Sequence, residues 1–122
     1  MAEAKAEAFD SERKRLNELV MQYAGRDMKR FWALQNQVYE DGELPAKTKE
    51  MLGLAASLAL RCDDCVLYHL ARCRDCGVSA GAIVEVLSIG LIVGGSIAIP
   101  HVRRAIAALD EMISAEGKGE TG

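Results

Sequence analysis

Proline and aromatic residues are scarce in this chain, with two prolines and 5% Phe, Trp and Tyr among 122 residues. So few aromatics disfavour an aromatic-rich β architecture, and two prolines beside 50% apolar residues argue against disorder. Period-two alternation of apolar and polar residues is missing throughout, so no strand is expected. No basic stripe is interleaved with aromatics and the formal net charge is −3, which removes nucleic acid as an expected partner. Apolar runs are also short of the ~20 residues that cross a bilayer. The most apolar stretch, Val86 to Pro100, carries Gly90, Gly94 and Gly95, which point to close packing or a turn, so no membrane is expected. The opening MAEAKAEAFDSERKR lacks the apolar segment of a secretory signal, and a cytoplasmic location is the expectation.

What is present suits one small globular domain over residues 1–122, with a core of about 15–113 and a frayed polar tail at 117–122. Helical periodicity runs almost throughout. Leu16, Leu19, Val20 and Tyr23 mark one amphipathic helix, and Met28, Phe31, Leu34 and Val38 mark a second beyond Gly25. After the loop 40–45, Pro45 suits the first turn of a third helix starting near Ala46. Gly77 fits a helix C-cap and Ser79 an N-cap, so a helix ends there and another starts at Ala80, closed by Gly94-Gly95. Val102, Ile106, Leu109 and Ile113 form one face of a last helix. The fold class is all-α, a single-domain bundle of about six helices.

Between Ala46 and Cys76 no glycine or proline interrupts the pattern, and one helix of that length would be unusual in so small a domain. Asp63-Asp64 resembles the acidic first turn of a new helix, which favours a hairpin turning near residues 59–62. In that hairpin Glu50 lies ~13 Å before the turn and His69 ~10 Å after it, at roughly the same height. In one continuous helix they would be ~28 Å apart and could not cooperate.

Four cysteines fall between positions 62 and 76, and without an export signal thiol or metal chemistry explains them better than structural disulfides. Cys62, Cys65, His69, Cys73 and Cys76 share one helix face. Cys62-Asp63-Asp64-Cys65 is a CxxC at a helix N-terminus, where free N–H groups and the helix dipole favour thiolate, while the two aspartates oppose it. His69, one turn beyond Cys65, can take its proton, and a carboxylate such as Glu50 can orient the ring. Such a set supports peroxide reduction: a thiolate attacks, the sulfenic acid is captured by the partner cysteine, and an external dithiol resets the pair. Cys73 and Cys76 are read as packing residues. Four thiols strung along ~21 Å of helix cannot close one tetrahedral site, so no metal is expected, and the chemistry invokes no cofactor. Phe31, Trp32 and Tyr68 are expected in the core or an interface, and His101 as a capping or core residue.

The pattern Glu50-x11-Cys62-x2-Cys65-x3-His69, followed by Gly94-Gly95 and a terminal helix, resembles the carboxymuconolactone decarboxylase-like superfamily, and more narrowly its alkylhydroperoxidase D-type branch. The resemblance implies an all-helical homo-oligomer, trimer or hexamer, with the redox site close to subunit contacts. It implies Glu50 and His69 as a proton relay, Cys65 as the thiol attacking hydroperoxide and Cys62 as its disulfide partner. The dipole alone favours Cys62 as nucleophile, whereas the histidine at i+4 and the resemblance both favour Cys65. Where some peroxidase members carry a histidine before the second cysteine, this sequence has Asp64. Two other readings stand beside the peroxidase: a lyase acting on a small carboxylated lactone, and a non-enzymatic oligomeric helical module.

Overall fold

The computed structural model describes the backbone of residues 2–121 and the side chains of residues 7–117. Six α-helices follow one another: α1 (Ala2–Tyr23), α2 (Arg26–Val38), α3 (Ala46–Ala59), α4 (Asp63–Asp75), α5 (Ala80–Gly94) and α6 (Ile99–Thr121). A short 3₁₀ turn, Ser96–Ala98, joins the last two, and no strand occurs among the described residues.

Leu54 and Leu58 of α3 meet Val66, Leu70 and Cys73 of α4, Ile83 and Leu87 of α5, and Ala105, Ala108 and Leu109 of α6 in one apolar core. Burying each large aliphatic side chain contributes roughly 1.5–3 kcal/mol. The α3–α5 contact is tight because Gly90 presents no side chain. A Cβ there would lie 2.9 Å from the Ala55 carbonyl oxygen and 3.0 Å from Leu58 Cβ.

The expected hairpin is present, and its turn explains why no glycine announces it. Arg61, not glycine, takes the left-handed conformation at φ 60°. The Arg61 N–H donates to the Leu58 carbonyl at 2.9 Å and the Cys62 N–H to the Ser57 carbonyl at 3.1 Å, the paired bonds of a Schellman cap. Cys62 leaves that cap as the N-cap residue of α4, its sulfur accepting from the Cys65 N–H. The far end of α4 closes in the same way through Gly77 at φ 82°, with Val78 N–H on the Cys73 carbonyl.

Several local expectations are corrected. The buried face of α6 is set by Ala105, Ala108 and Leu109, while Ile106 and Ile113 are each 39% exposed. Ala105, Ala108 and Leu109 share one helical stripe, and Ile106 and Ile113 lie at its edge. Pro45 is the extended residue before α3 and not part of its first turn. α6 continues helical through 117–121, where fraying was expected; Gly122 lies outside the described residues. α2 buries none of its residues within the chain, so of the two places expected for Phe31, core or interface, the core is ruled out, and Leu16, Leu19 and Tyr23 of α1 are exposed as well. No helix among the described residues is long and apolar enough to cross a membrane.

Candidate active site

The α3–α4 hairpin brings Glu50 and His69 face to face. Both are buried, at 2% and 6% exposure, and His69 Nδ1 lies 2.8 Å from Glu50 Oε1. A buried polar pair of this kind is retained only when each partner satisfies the other, since either group left alone would cost roughly 1–3 kcal/mol. The other Glu50 oxygen faces Arg72 Nε at 3.6 Å.

On the opposite edge of the imidazole, the Tyr39 hydroxyl stands 3.4 Å from Nε2. With the Nδ1–H donating to Glu50, the phenol O–H is the donor to Nε2, so the two contacts select one tautomer. Tyr39 follows α2 and reaches His69 because residue 53 is glycine. A Cβ there would lie 2.8 Å from both the Tyr39 oxygen and His69 Cε1. Burial, with the Glu50 charge and then Tyr68 adding to it, pushes the Tyr39 phenol above its ordinary value and keeps it protonated. Nothing in the sequence pattern identifies Tyr39, which sits next to a polar loop; its role arises from the fold.

One helical turn before His69 on α4, the sulfurs of Cys62 and Cys65 are bonded to each other. Cys65 is exposed and Cys62 half-buried. Cys65 and His69 open into a cleft of about 740 Å³ whose far walls are α1 and α2, with Phe9, Arg13, Leu16, Trp32 and Asn36 among the lining. Tyr68 packs edge-on against His69 at 5.2 Å between ring centres, and the Arg13 guanidinium lies over the Tyr68 ring at 4.8 Å. Trp32 and Tyr68 therefore line this cleft instead of filling the core. A second cleft, of about 960 Å³, has Glu50, Tyr39 and Arg72 in its lining and shares Phe9, Arg13 and Tyr68 with the first.

All four residues singled out in the sequence, Glu50, Cys62, Cys65 and His69, thus lie on facing turns of one hairpin. Cys73 packs in the core, where burial first, and then the Glu50 charge and Cys76, push its thiol up to about 12 and disfavour its thiolate. Cys76 is only partly buried and caps the end of α4. His101 neither caps a helix nor fills the core. Its Nδ1 meets Asp63 at the start of α4, at 2.7 Å. No group of three or more His, Cys, Asp and Glu side chains suited to a metal occurs among the described residues.

Comparison with known proteins identifies the family and the fold. The pattern of the Carboxymuconolactone decarboxylase family matches residues 28–108, a span that includes the whole hairpin. An uncharacterized protein of Cupriavidus necator is 31% identical over 85 residues, 70% of this chain and 75% of that protein. An uncharacterized protein of the cox locus of Paracoccus denitrificans is 29% identical, over 67% and 74% of the two chains. A crystal structure of a Thermotoga maritima protein superposes with a TM-score of 0.88 at 49% identity, covering 91% of this chain and 97% of the other. A second crystal structure of that protein, with a TM-score of 0.86 at 50% identity over 93% and 96% of the two chains, describes it as a carboxymuconolactone decarboxylase family protein for which a part in the antioxidative response has been suggested. The apo form of a Legionella pneumophila family member, at 21% identity and a TM-score of 0.79 over 88% and 96% of the two chains, shares the fold. By family pattern, and by 50% identity with a Thermotoga maritima member, this chain belongs to the carboxymuconolactone decarboxylase family.

Proposed function

We propose that the protein is a thiol-dependent peroxidase or disulfide oxidoreductase of antioxidant defence, acting in a reducing compartment such as the cytoplasm. The observation that carries this reading is a bonded Cys62–Cys65 pair placed one turn from a buried Glu50–His69 pair. A carboxyl-held imidazole beside a thiol at a helix N-terminus is the arrangement that activates a sulfur nucleophile.

The cycle starts from the dithiol. Cys65 passes its proton to Nε2 of His69, where the Tyr39 hydroxyl turns from donor to acceptor, and Glu50 steadies the ring through Nδ1–H. The thiolate attacks the terminal oxygen of a hydroperoxide, the O–O bond breaks, and the alcohol leaves with the proton that His69 returns. Cys65 is now a sulfenic acid. The Cys62 thiol attacks its sulfur, expels water and forms the disulfide. An external dithiol then donates two electrons and two protons and is itself oxidised to a disulfide. Two cysteines at this position favour thiol chemistry over lactone decarboxylation.

The working form in this proposal is a homo-oligomer, trimer or hexamer. Supporting it, α2 exposes Met28, Phe31, Leu34 and Val38, and the α5 surface exposes Ile92 at 81%, Val93 at 72% and the neighbouring Leu60 at 77%. Apolar faces of this extent mark contact surfaces. Peroxide consumption driven by a dithiol tests the activity: it is expected to disappear in Cys65→Ser, and unchanged turnover in that variant would refute the proposal.

A further inference from the structure

Asp63 is the first residue of α4 and the neighbour of Cys62, where a free carboxylate would oppose thiolate formation. Its charge is not free. Asp63 Oδ1 accepts from His101 Nδ1–H at 2.7 Å, and Oδ2 accepts from Arg104 Nη1–H at 2.8 Å, both donors standing one turn apart on α6. His101 is mostly buried, with 18% of its side chain exposed, whereas Arg104 is 61% exposed and makes this contact from solvent. The hydrogen bond from His101, followed by the charge of His101 and then that of Arg104, holds the Asp63 carboxyl below the usual carboxylate range, so it is an anion whenever the thiols function.

We propose that the Asp63–His101–Arg104 clasp sets the ionisation of the Cys62–Cys65 thiols in the reduced protein, with Arg104 cancelling the one acidic charge adjacent to Cys62. The inference rests on the reading of this pair as a redox site. Arg104 is a positioning residue in this scheme and touches neither sulfur. Its permanent positive charge offsets Asp63, which leaves the N–H groups and dipole of α4 to favour the thiolate. A unit charge left uncompensated at this range, in a partly solvated setting, changes an ionisation constant by about three- to tenfold. A merely mechanical clasp, fastening α6 to α4, makes a different forecast. Breaking it from either side would then disturb the thiols in the same direction, and breaking both sides would repair nothing.

Four reduced proteins separate the two: wild type, Arg104→Met, Asp63→Asn and the double variant. The other charges near the pair, Arg61, Asp64, His69 and His101 with Glu12 and Arg13 across the cleft, are the same in all four. The readout is thiolate ultraviolet absorbance against pH, with the rate of alkylation at neutral pH as a second measure. Arg104→Met is expected to lower the thiolate fraction at neutral pH about threefold or more, and Asp63→Asn to raise it by a similar factor. In the double variant the net charge is restored, and the fraction is expected to return to within about twofold of wild type. Shifts of one sign in both single variants, or a double variant no closer to wild type than Arg104→Met, would overturn the proposal. Failure of the redox reading itself looks different: the wild-type pair would then form no Cys62–Cys65 disulfide in a glutathione buffer, whatever the substitutions do to ionisation.

Discussion

Glu50 and His69, 19 residues apart in the chain, meet at 2.8 Å because α3 and α4 fold back on one another at Arg61. Everything proposed for the chemistry depends on that meeting. Glu50→Gln keeps the shape of the side chain and removes the carboxylate, leaving the imidazole without its acidic partner. Turnover of hydroperoxide is expected to fall about 10²-fold or more, the usual size of a lost acid–base contribution. Steady-state kinetics on the folded variant, checked by circular dichroism, measures this.

Tyr39 holds the other nitrogen of the same ring, and Gly53 makes the space for it. Tyr39→Phe is expected to slow turnover with a stability loss of about 1 kcal/mol or less, since one long hydrogen bond is removed and the ring is kept. Gly53→Ala is expected to do more damage, costing about 1–3 kcal/mol by overpacking and displacing the imidazole and the phenol together. Urea unfolding of both variants beside their kinetics distinguishes the two effects.

The helices were largely legible in the sequence because apolar spacing marks a helix whatever it packs against. Pro45, Gly77, Ser79 and Gly95 fall at or beside helix ends for local steric and hydrogen-bonding reasons that leave a trace in residue type. The turn at Arg61 left no glycine or proline trace, since a residue other than glycine occupies the left-handed position, and helix length with the acidic Asp63-Asp64 turn argued for the break there. Periodicity could say that α2 has an apolar face but not that the face lies open in a single chain. Nor could it foresee that Ala105 and Ala108 would face the core while Ile106 and Ile113 lie at its edge. Glu50, Cys62, Cys65 and His69 were recognisable by spacing, whereas Tyr39 and the Asp63–His101–Arg104 cluster are contacts between distant segments that no local pattern encodes.

Acid should weaken the fold in part through Asp63. Its hydrogen bond with His101, and then the charges of His101 and Arg104, lower its carboxyl in the folded state, so the folded protein binds its proton less readily than the unfolded chain. The contribution is therefore fully present above the unfolded value of about 3.9 and is lost as pH falls through the lower folded value. With 37% of the side chain exposed, solvent screening keeps it modest. Asp63→Asn is expected to be less stable than wild type near neutrality and to converge with it at strongly acidic pH, as chemical unfolding across that range would show.

Open apolar faces predict assembly. Sedimentation velocity is expected to give a trimer or hexamer of the 13.2 kDa chain, and Ile92→Glu, at an 81% exposed position on α5, is expected to shift the distribution toward smaller species without unfolding the protomer. A wild-type protein that sediments as a monomer at micromolar concentration would contradict this.

The central claim is that Cys62 and Cys65 are a reactive pair and not two small packing residues. Mass spectrometry of the fully reduced protein, alkylated before and after stoichiometric hydroperoxide, tests it most directly. The account predicts rapid loss of alkylation at both positions, a Cys62–Cys65 disulfide, release by dithiol, and Cys73 unchanged behind its buried, high-pKa thiol. Free, fully alkylated Cys62 and Cys65 after that exposure would contradict it.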